Sequence, residues 1–459
     1  MSENSRDSFR WFILVLACLG TFMGTLDISI VTVAMPTLRA VFNTTVATSE
    51  WFILSYTFVI TILLLTFGKL GDLIGRKRLY ECGILIFVGG SLACGLSVSA
   101  LTLIIARGLQ GIGSAMTMSV GPALITAVFP NKERGKAMGF IGSSVALGLI
   151  TGPVLGGLLL QYASWRWLFF LNIPAGMILF YLFKTRVHGF DERQDTRLDL
   201  VGAVLTALTL APLLLGLTYG GHLGWGSPMT ISLFAASVVF GALFFAQEKR
   251  AASPMLNLGL FRNREFTIGA VAGWANYAAT IPVSVFMPFY LHKVLGFAPD
   301  RMGMILAFGP LTLAFVAPIS GTLSDKIGPR LLTSLGLLIA AVGVLSMRSL
   351  HADSHWFDVA WRLVLTSLGS GMFVSPNSSS VMGSVKQDEL GIASGTVALV
   401  RNLGMICGIA VAGAIITTIS REFSLAGLHA AFTACACIAV LGSVIAAQRV
   451  NVKRQAAQA

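Results

Sequence analysis

The chain has 459 residues, 55% of them hydrophobic and 11% charged, with a formal net charge of +12 and a mean hydropathy of +0.80. A water-soluble domain carries about 25% charged residues, so a soluble globular protein is excluded. The positive charge sits at the ends of long apolar stretches, not on one face or stripe, which excludes a nucleic-acid-binding surface and points to membrane orientation instead.

A bilayer-crossing helix needs roughly 20 mostly apolar residues. Fourteen such segments are predicted in chain order: 11–36, 49–70, 78–98, 101–128, 134–161, 165–184, 198–220, 229–247, 267–293, 302–324, 330–350, 356–382, 392–419 and 425–448. The apolar runs lack period-2 alternation, which excludes a strand-built barrel. The first segment is long and runs on into a polar motif, so a span is expected there and not a cleavable signal peptide. Connections are short, the longest being 185–197 and 248–266, and no soluble domain is expected between spans. Cys18, Cys82, Cys94, Cys407, Cys435 and Cys437 lie inside apolar segments, at spacings that match neither a disulfide framework nor a zinc site. They read as small buried hydrophobes, and no metal is expected.

Charge fixes the expected orientation. With the N-terminus cytoplasmic, 23 of the 32 Lys and Arg residues fall on that side and 6 on the other, while Arg107, Arg362 and Arg401 fall within helices. One missed helix would invert every later loop, so the asymmetry supports the count and puts both termini in the cytoplasm. Arg362 and Arg401 lie near helix ends and read most plainly as cations reaching the interface.

An internal repeat divides the chain. Gly68-Lys69-Leu70-Gly71-Asp72-Leu73-Ile74-Gly75 recurs as Gly321-Thr322-Leu323-Ser324-Asp325-Lys326-Ile327-Gly328, with five identities in eight. The two copies lie eight predicted helices apart, where a plain six-plus-six repeat gives six. Two helices are therefore expected to be inserted between six-helix bundles, giving domains 1–185, 186–262 and 263–459. Repeated halves of this kind bind substrate near the midplane between them.

Four stretches carry a resemblance. The loop Gly68 through Arg78 resembles the signature loop of the major facilitator superfamily, with Gly68, Asp72, Gly75 and Arg76 as its key positions. The second copy has Pro329 where the first has Arg76, so its charge network is expected to be weaker. Leu26-Asp27-Ile28-Ser29-Ile30-Val31-Thr32-Val33-Ala34-Met35-Pro36 resembles the first-helix motif of fourteen-span drug:proton antiporters. Arg107-Gly108-Leu109-Gln110-Gly111-Ile112-Gly113 resembles a fourth-helix motif whose arginine is linked to proton coupling. Gly148 through Gly157 resembles the fifth-helix antiporter motif, and Arg401-Asn402-Leu403-Gly404 extends the likeness to the thirteenth segment. The resemblance implies an all-α polytopic membrane protein with the major facilitator fold, of the EmrB/QacA type. Gly152, Gly156 and Gly157 flatten one face of their helix for close packing, while Pro153 removes a backbone donor and can bend it.

Asp27 is the one carboxylate read as deep within a span; Glu50, Glu81, Asp199 and Asp358 fall near segment ends. An ionised carboxylate in hydrocarbon is costly, so such a residue faces a cavity or a partner and serves function. Arg107 is the expected partner. The plainer alternative is a purely structural pair, an expensive way to pack two helices. By resemblance the first, fourth, ninth and twelfth helices face the central cavity, with Tyr56, Gln110, Asn276, Tyr277, Phe373 and Asn377 as lining candidates. Asp325 and Arg401 join the conformational motifs. His355-Trp356-Phe357-Asp358 reads as a solvated turn.

These readings lead to a proton-coupled antiporter exporting lipophilic, often cationic, compounds by alternating access. No Walker-type loop is present, and no cofactor is expected beyond the proton gradient. The expected partners are small substrates, protons and the bilayer, with no nucleic acid and with the monomer as the working unit. A carrier of an endogenous lipid or metabolite, or a sensor without transport, remains the alternative; no catalytic constellation supports an enzyme.

Overall fold

A computed structural model of the chain describes residues 3–129, 131–187, 199–250, 258–385, 390–420 and 423–449. All described regular structure is helical: α1 (Glu3–Val41), α2 (Val46–Ile74), α3 (Arg76–Gly95), α4 (Ala100–Val128), α5 (Asn131–Tyr162), the short α6 (Trp167–Phe170), α7 (Asn172–Arg186), α8 (Leu200–Leu223), α9 (Pro228–Arg250), α10 (Arg264–Phe289), α11 (Pro299–Ile327), α12 (Pro329–Ser346), α13 (Trp356–Gly383), α14 (Leu390–Ile419) and α15 (Leu425–Ala447). Each predicted segment coincides with one of these helices, the sixth being split between α6 and α7. Short polar residues start them by accepting free N–H groups of the first turn. Thr45 caps α2, Ser99 and Thr102 form a capping box on α4, Asp199 caps α8 and Ser424 caps α15. His355 and Asp358 form the corresponding box on α13, so this stretch is a helix-starting turn.

Twelve of the described helices are long and apolar enough to cross a membrane, where fourteen were expected. The two that fall short are α4 and α13. Asp358, Arg362, Asn377 and a run of serines dilute α13. Both are packed between neighbouring helices, α4 against α2 and α3 and α13 against α11 and α12, and Arg107, Gln110, Arg362 and Asn377 are buried there. The chain is a multi-pass membrane protein.

The same packing scheme occurs twice. α1 packs on α5 and α4 on both α2 and α3; correspondingly α10 packs on α14 and α13 on both α11 and α12. The repeated octapeptide explains part of this likeness. Gly75 and Gly328, the last residue of each copy, have φ values of 100° and 89° and serve at once as the end of one helix and the start of the next. L-residues rarely adopt that conformation, so the two α-helical corners depend on glycine.

The short connections make successive long helices antiparallel, so the start of α1 and the end of α15 lie at one end of the bundle. The two helix groups touch mostly at the opposite, far end. There α5 meets α11, α1 meets α10 and α2 meets α14. A buried apolar cluster spans this contact, including Val46, Ile53 and Leu54 of α2, Val283, Phe286 and Phe289 of α10, and Ile409 and Ile416 of α14. α8 lies along the seam against both α2 and α14, and Trp225 after it donates to the Thr418 hydroxyl at 2.9 Å. α9 packs on α8 and is otherwise exposed, as expected of a helix facing lipid.

Two expectations are corrected by burial. Cys94 and Cys435 are buried as expected, but Cys82 and Cys437 are exposed on the bundle surface. Glu50, expected near a helix end and unremarked, is completely buried.

Candidate functional site

Five helices converge on Asp27. It lies in the middle of α1 and is completely buried, as are Arg107 and Gln110 of α4. Arg107 donates through Nη1 to Asp27 Oδ2, and the two form an ion pair. Asp27 Oδ1 accepts from Gln110 Nε2 at 2.7 Å and from Asn172 Nδ2, at the start of α7, at 2.9 Å. Arg107 also donates through Nε to the Phe52 carbonyl of α2 at 2.8 Å and through Nη1 to Gln110 Oε1 at 2.6 Å. Gln110 in turn donates to Ser91 of α3 at 2.8 Å.

Arg107 Nη2 has no hydrogen-bond acceptor among the described residues. Its guanidinium instead lies 4.2 Å from the centroid of the Tyr56 ring, a cation–π contact that offsets part of the loss. Tyr56 is completely buried and fixed by its hydroxyl, which donates to Ser114 at 2.7 Å. Tyr56 and Gln110 thus belong to the charge cluster and not to the small cavity described below.

Glycines bring the helices this close. A Cβ at Gly111 would lie 2.8 Å from the Tyr56 carbonyl oxygen, and one at Gly90 would lie 2.6 Å from the Gln110 backbone nitrogen. The α5 motif works in the same way. A side chain at Gly152 would overlap Ser29 of α1, and one at Gly156 would lie 2.9 Å from Ile30. Gly157 faces the other way, with its Cα side against Pro299, Asp300 and Gly303 of α11. Pro153 is helical, and its carbonyl lies against Gly303.

In the second helix group, Tyr277, Phe373, Asn377 and Arg401 line a cavity of about 60 Å³ between α10, α13 and α14. A water occupies ≈ 30 Å³ of liquid and drug-sized pockets span ≈ 300–1,000 Å³, so in this conformation the cavity holds water and not a drug. Asn377 donates to the Gly269 carbonyl at 3.2 Å and accepts from Arg449, which is paired with Glu265 at 3.3 Å. Arg401 is half-buried and has no hydrogen bond or ion pair among the described residues. Asn276 does not line the cavity; it is completely buried and accepts from Ser370 at 3.1 Å.

Of the signature loop, Gly68 has open space where a side chain would be, whereas a Cβ at Gly71 would lie 3.2 Å from Val120 of α4. The side chains of Asp72 and Asp325 lie outside the described residues. Lys69 of α2 lies within electrostatic reach of Asp199, at the start of α8, and of Glu248, near the end of α9. Asn172 escaped the reading of the sequence, although it is the one amide in the apolar stretch that ends at Phe183.

Comparison with known proteins gives the family. The sequence matches the Major Facilitator Superfamily over residues 17–408 and again over 266–458. It is 34% identical over 402 residues to the riboflavin transporter RibZ of Clostridioides difficile, covering 87% of each chain. It is 32% identical over 405 residues to the multidrug resistance protein Stp of Mycobacterium tuberculosis, covering 88% of this chain and 75% of that one. The multidrug transporter protein MdtP of Bacillus subtilis is 28% identical over 418 residues, with 90% and 77% covered. Among solved structures, a peptide transporter POT in complex with sulfate superposes with a TM-score of 0.72 at 15% identity, covering 95% of this chain and 93% of that one, which extends the likeness to the fold. With its repeated helix packing and buried charge cluster, the chain belongs to the Major Facilitator Superfamily and is a membrane carrier of small molecules, not an enzyme.

Proposed function

We propose that the protein is a proton-coupled antiporter that exports lipophilic compounds, cationic ones among them, across the cytoplasmic membrane by alternating access. The observation that carries this reading is the buried Asp27 of α1, held by Arg107 and Gln110 of α4 and by Asn172 of α7. A carboxylate so placed inside a membrane protein is suited to carry a proton. When it is protonated, Arg107 keeps the Phe52 carbonyl, Gln110 and the Tyr56 ring, which offset part of the cost of its remaining charge. Each proton moving inward yields about 2.3 kcal/mol per 100 mV of membrane potential. No other cofactor enters the cycle, and the working unit is the monomer.

In this reading α4 and α13 also cross the bilayer, which gives fourteen spans and places the chain with the EmrB/QacA-type exporters. Both termini are cytoplasmic, in keeping with the distribution of Lys and Arg. The far end, where the helix groups meet, is then the external end, and the conformation is inward-facing. The groups 1–185 and 263–459 are the moving bodies, with 186–262 beside them. The multidrug names of Stp and MdtP support this reading.

A second reading, a carrier of a neutral or anionic metabolite, is favoured by one observation. The cavity between Tyr277, Phe373 and Asn377 presents Arg401 and no carboxylate among its lining residues. RibZ, a riboflavin transporter, supports it. The deciding experiment is substrate-induced proton release from the detergent-solubilised protein, challenged with cationic dyes, neutral lipophiles and anionic aromatics. Release by the first two, abolished in Asp27→Asn, is expected. Undiminished release in Asp27→Asn refutes the assignment of the proton, and a response to anionic aromatics alone favours the second reading.

A further inference from the structure

Glu50 is a second buried acid with surroundings unlike those of Asp27. It lies one turn into α2 at the far end and is 0% exposed. Neither carboxyl oxygen has a hydrogen-bond partner among the described residues, and no ion pair reaches it. The carboxyl group sits directly over Gly413 of α14, where a Cβ would overlap both its oxygens. The missing side chain of Gly413 is therefore the recess that receives Glu50. Because α2 and α14 belong to different helix groups, the contact crosses the seam, within the apolar cluster that holds the far end closed.

The groups able to balance a charge there are few, and none is engaged with it. On α2 the nearest titratable side chain is Tyr56, committed to Ser114. On α1, Asp27 is committed to Arg107, and Arg39 donates through Nε to the Thr44 carbonyl at 3.1 Å. On α3, Cys94 donates to Gln110 at 3.6 Å. On α4, Arg107 points to Asp27 and Phe52. α8 offers Tyr219, and α14 offers Cys407 and Arg401, the latter three turns of helix from Gly413. An isolated carboxylate in such a place is strongly disfavoured, and a carboxyl group so buried takes up a proton instead.

We propose that Glu50 is a second proton-binding site, which holds a proton while α2 and α14 are closed on each other and releases it to water when the far end opens. Closure of that end thereby consumes one proton from the side to which it opens. The two acids share α2 as a neighbour: Glu50 is two residues from Phe52, whose carbonyl holds Arg107. Movement of α2 away from α14 hydrates Glu50 and shifts an anchor of the Asp27 cluster in the same step. The inference rests on the alternating-access reading for its role in transport, but the protonated state of Glu50 stands apart from it.

Two measurements test it. Infrared spectra of the purified wild type at neutral pH should show a protonated-carboxyl C=O band that is lost in Glu50→Gln and retained in Asp27→Asn. In a background without the exposed Cys82 and Cys437, a single cysteine at Ile409 should then report opening. Its labelling by an impermeant maleimide, corrected for thiolate fraction, should rise with pH in the wild type, by up to about tenfold per pH unit for a single linked proton. In Glu50→Gln, close in shape and permanently neutral, labelling should stay low and pH-independent. In Gly413→Ala, whose methyl group fills the recess, it should be high at every pH. Identical wild-type and Glu50→Gln spectra in the carboxyl region overturn the proposal, as does equal pH dependence of labelling in the two. Failure of the exporter reading would appear separately, as absent substrate-induced proton release with the carboxyl band intact.

Discussion

Replacing Asp27 by asparagine removes the anion from a completely buried pair and leaves Arg107 behind. The asparagine amide also turns a donor toward Arg107 or toward Gln110 and Asn172, whose nitrogens donate at 2.7 and 2.9 Å. Breaking a buried pair by removing one partner costs about 3–5 kcal/mol. Arg107 cannot relieve the cost by losing its proton, although the Phe52 carbonyl and the Tyr56 ring still hold it. Asp27→Asn should therefore lose about 3–5 kcal/mol. Arg107→Gln should lose less, about 1–3 kcal/mol, because Asp27 keeps two amide donors and can itself be neutralised by a proton. The double variant should lie closer to the wild type than Asp27→Asn does, since no charge is then stranded. The assay is equilibrium unfolding in mixed micelles with a rising fraction of denaturing detergent. If Asp27→Asn is as stable as the wild type, or if the double variant loses the sum of the two single losses, the pair is not a coupled unit.

Three further outcomes follow from the geometry. Gly75→Ala and Gly328→Ala should each lose about 1–3 kcal/mol, measured by the same unfolding assay, because both corners need φ near 90–100°. Asn172→Ala should lose about 1–3 kcal/mol and slow proton-coupled transport in vesicles, whereas Asn172→Asp, which sets a second carboxylate beside Asp27, should be worse. Gly303→Val should block the approach of α11 to α5, since even a Cβ there would collide with the Pro153 carbonyl; maleimide labelling of the single cysteine at Ile409 should rise in it, because the far end can no longer close.

The helices themselves were legible because each needs a long apolar run and little else, and the fourteen predicted segments all coincide with helices. Apolarity alone is a weaker guide where a helix carries polar groups, and α13 is less apolar than the other long helices for that reason. Asp27 and Arg107 stood out as charges in apolar surroundings. Asn172 did not, because an amide near a segment end looks like interfacial decoration until the fold brings α7 to α1. Glu50 lies near a helix end as expected, but its burial went unread for a related cause. Its position one turn from a helix start implied water nearby, but the packing of α14 and α8 over α2 removes it, and no local pattern in the sequence announces that closure.

The contact between α5 and α11 is made largely of backbone. Gly157 faces Pro299, Asp300 and Gly303, and Gly303 faces the Pro153 carbonyl, so no large side chain crosses at that point. Interlocked side chains behave like gear teeth: separation requires each to leave its slot and change rotamer. Two glycine-faced helices behave like plain bearing surfaces. They can roll through several degrees while keeping dispersion contact, because neither carries a protrusion that must be withdrawn first. The α2–α14 contact has the opposite character, with one carboxyl group seated in one recess. The far end of the bundle thus combines a smooth bearing with a single catch, set within the apolar cluster that closes it.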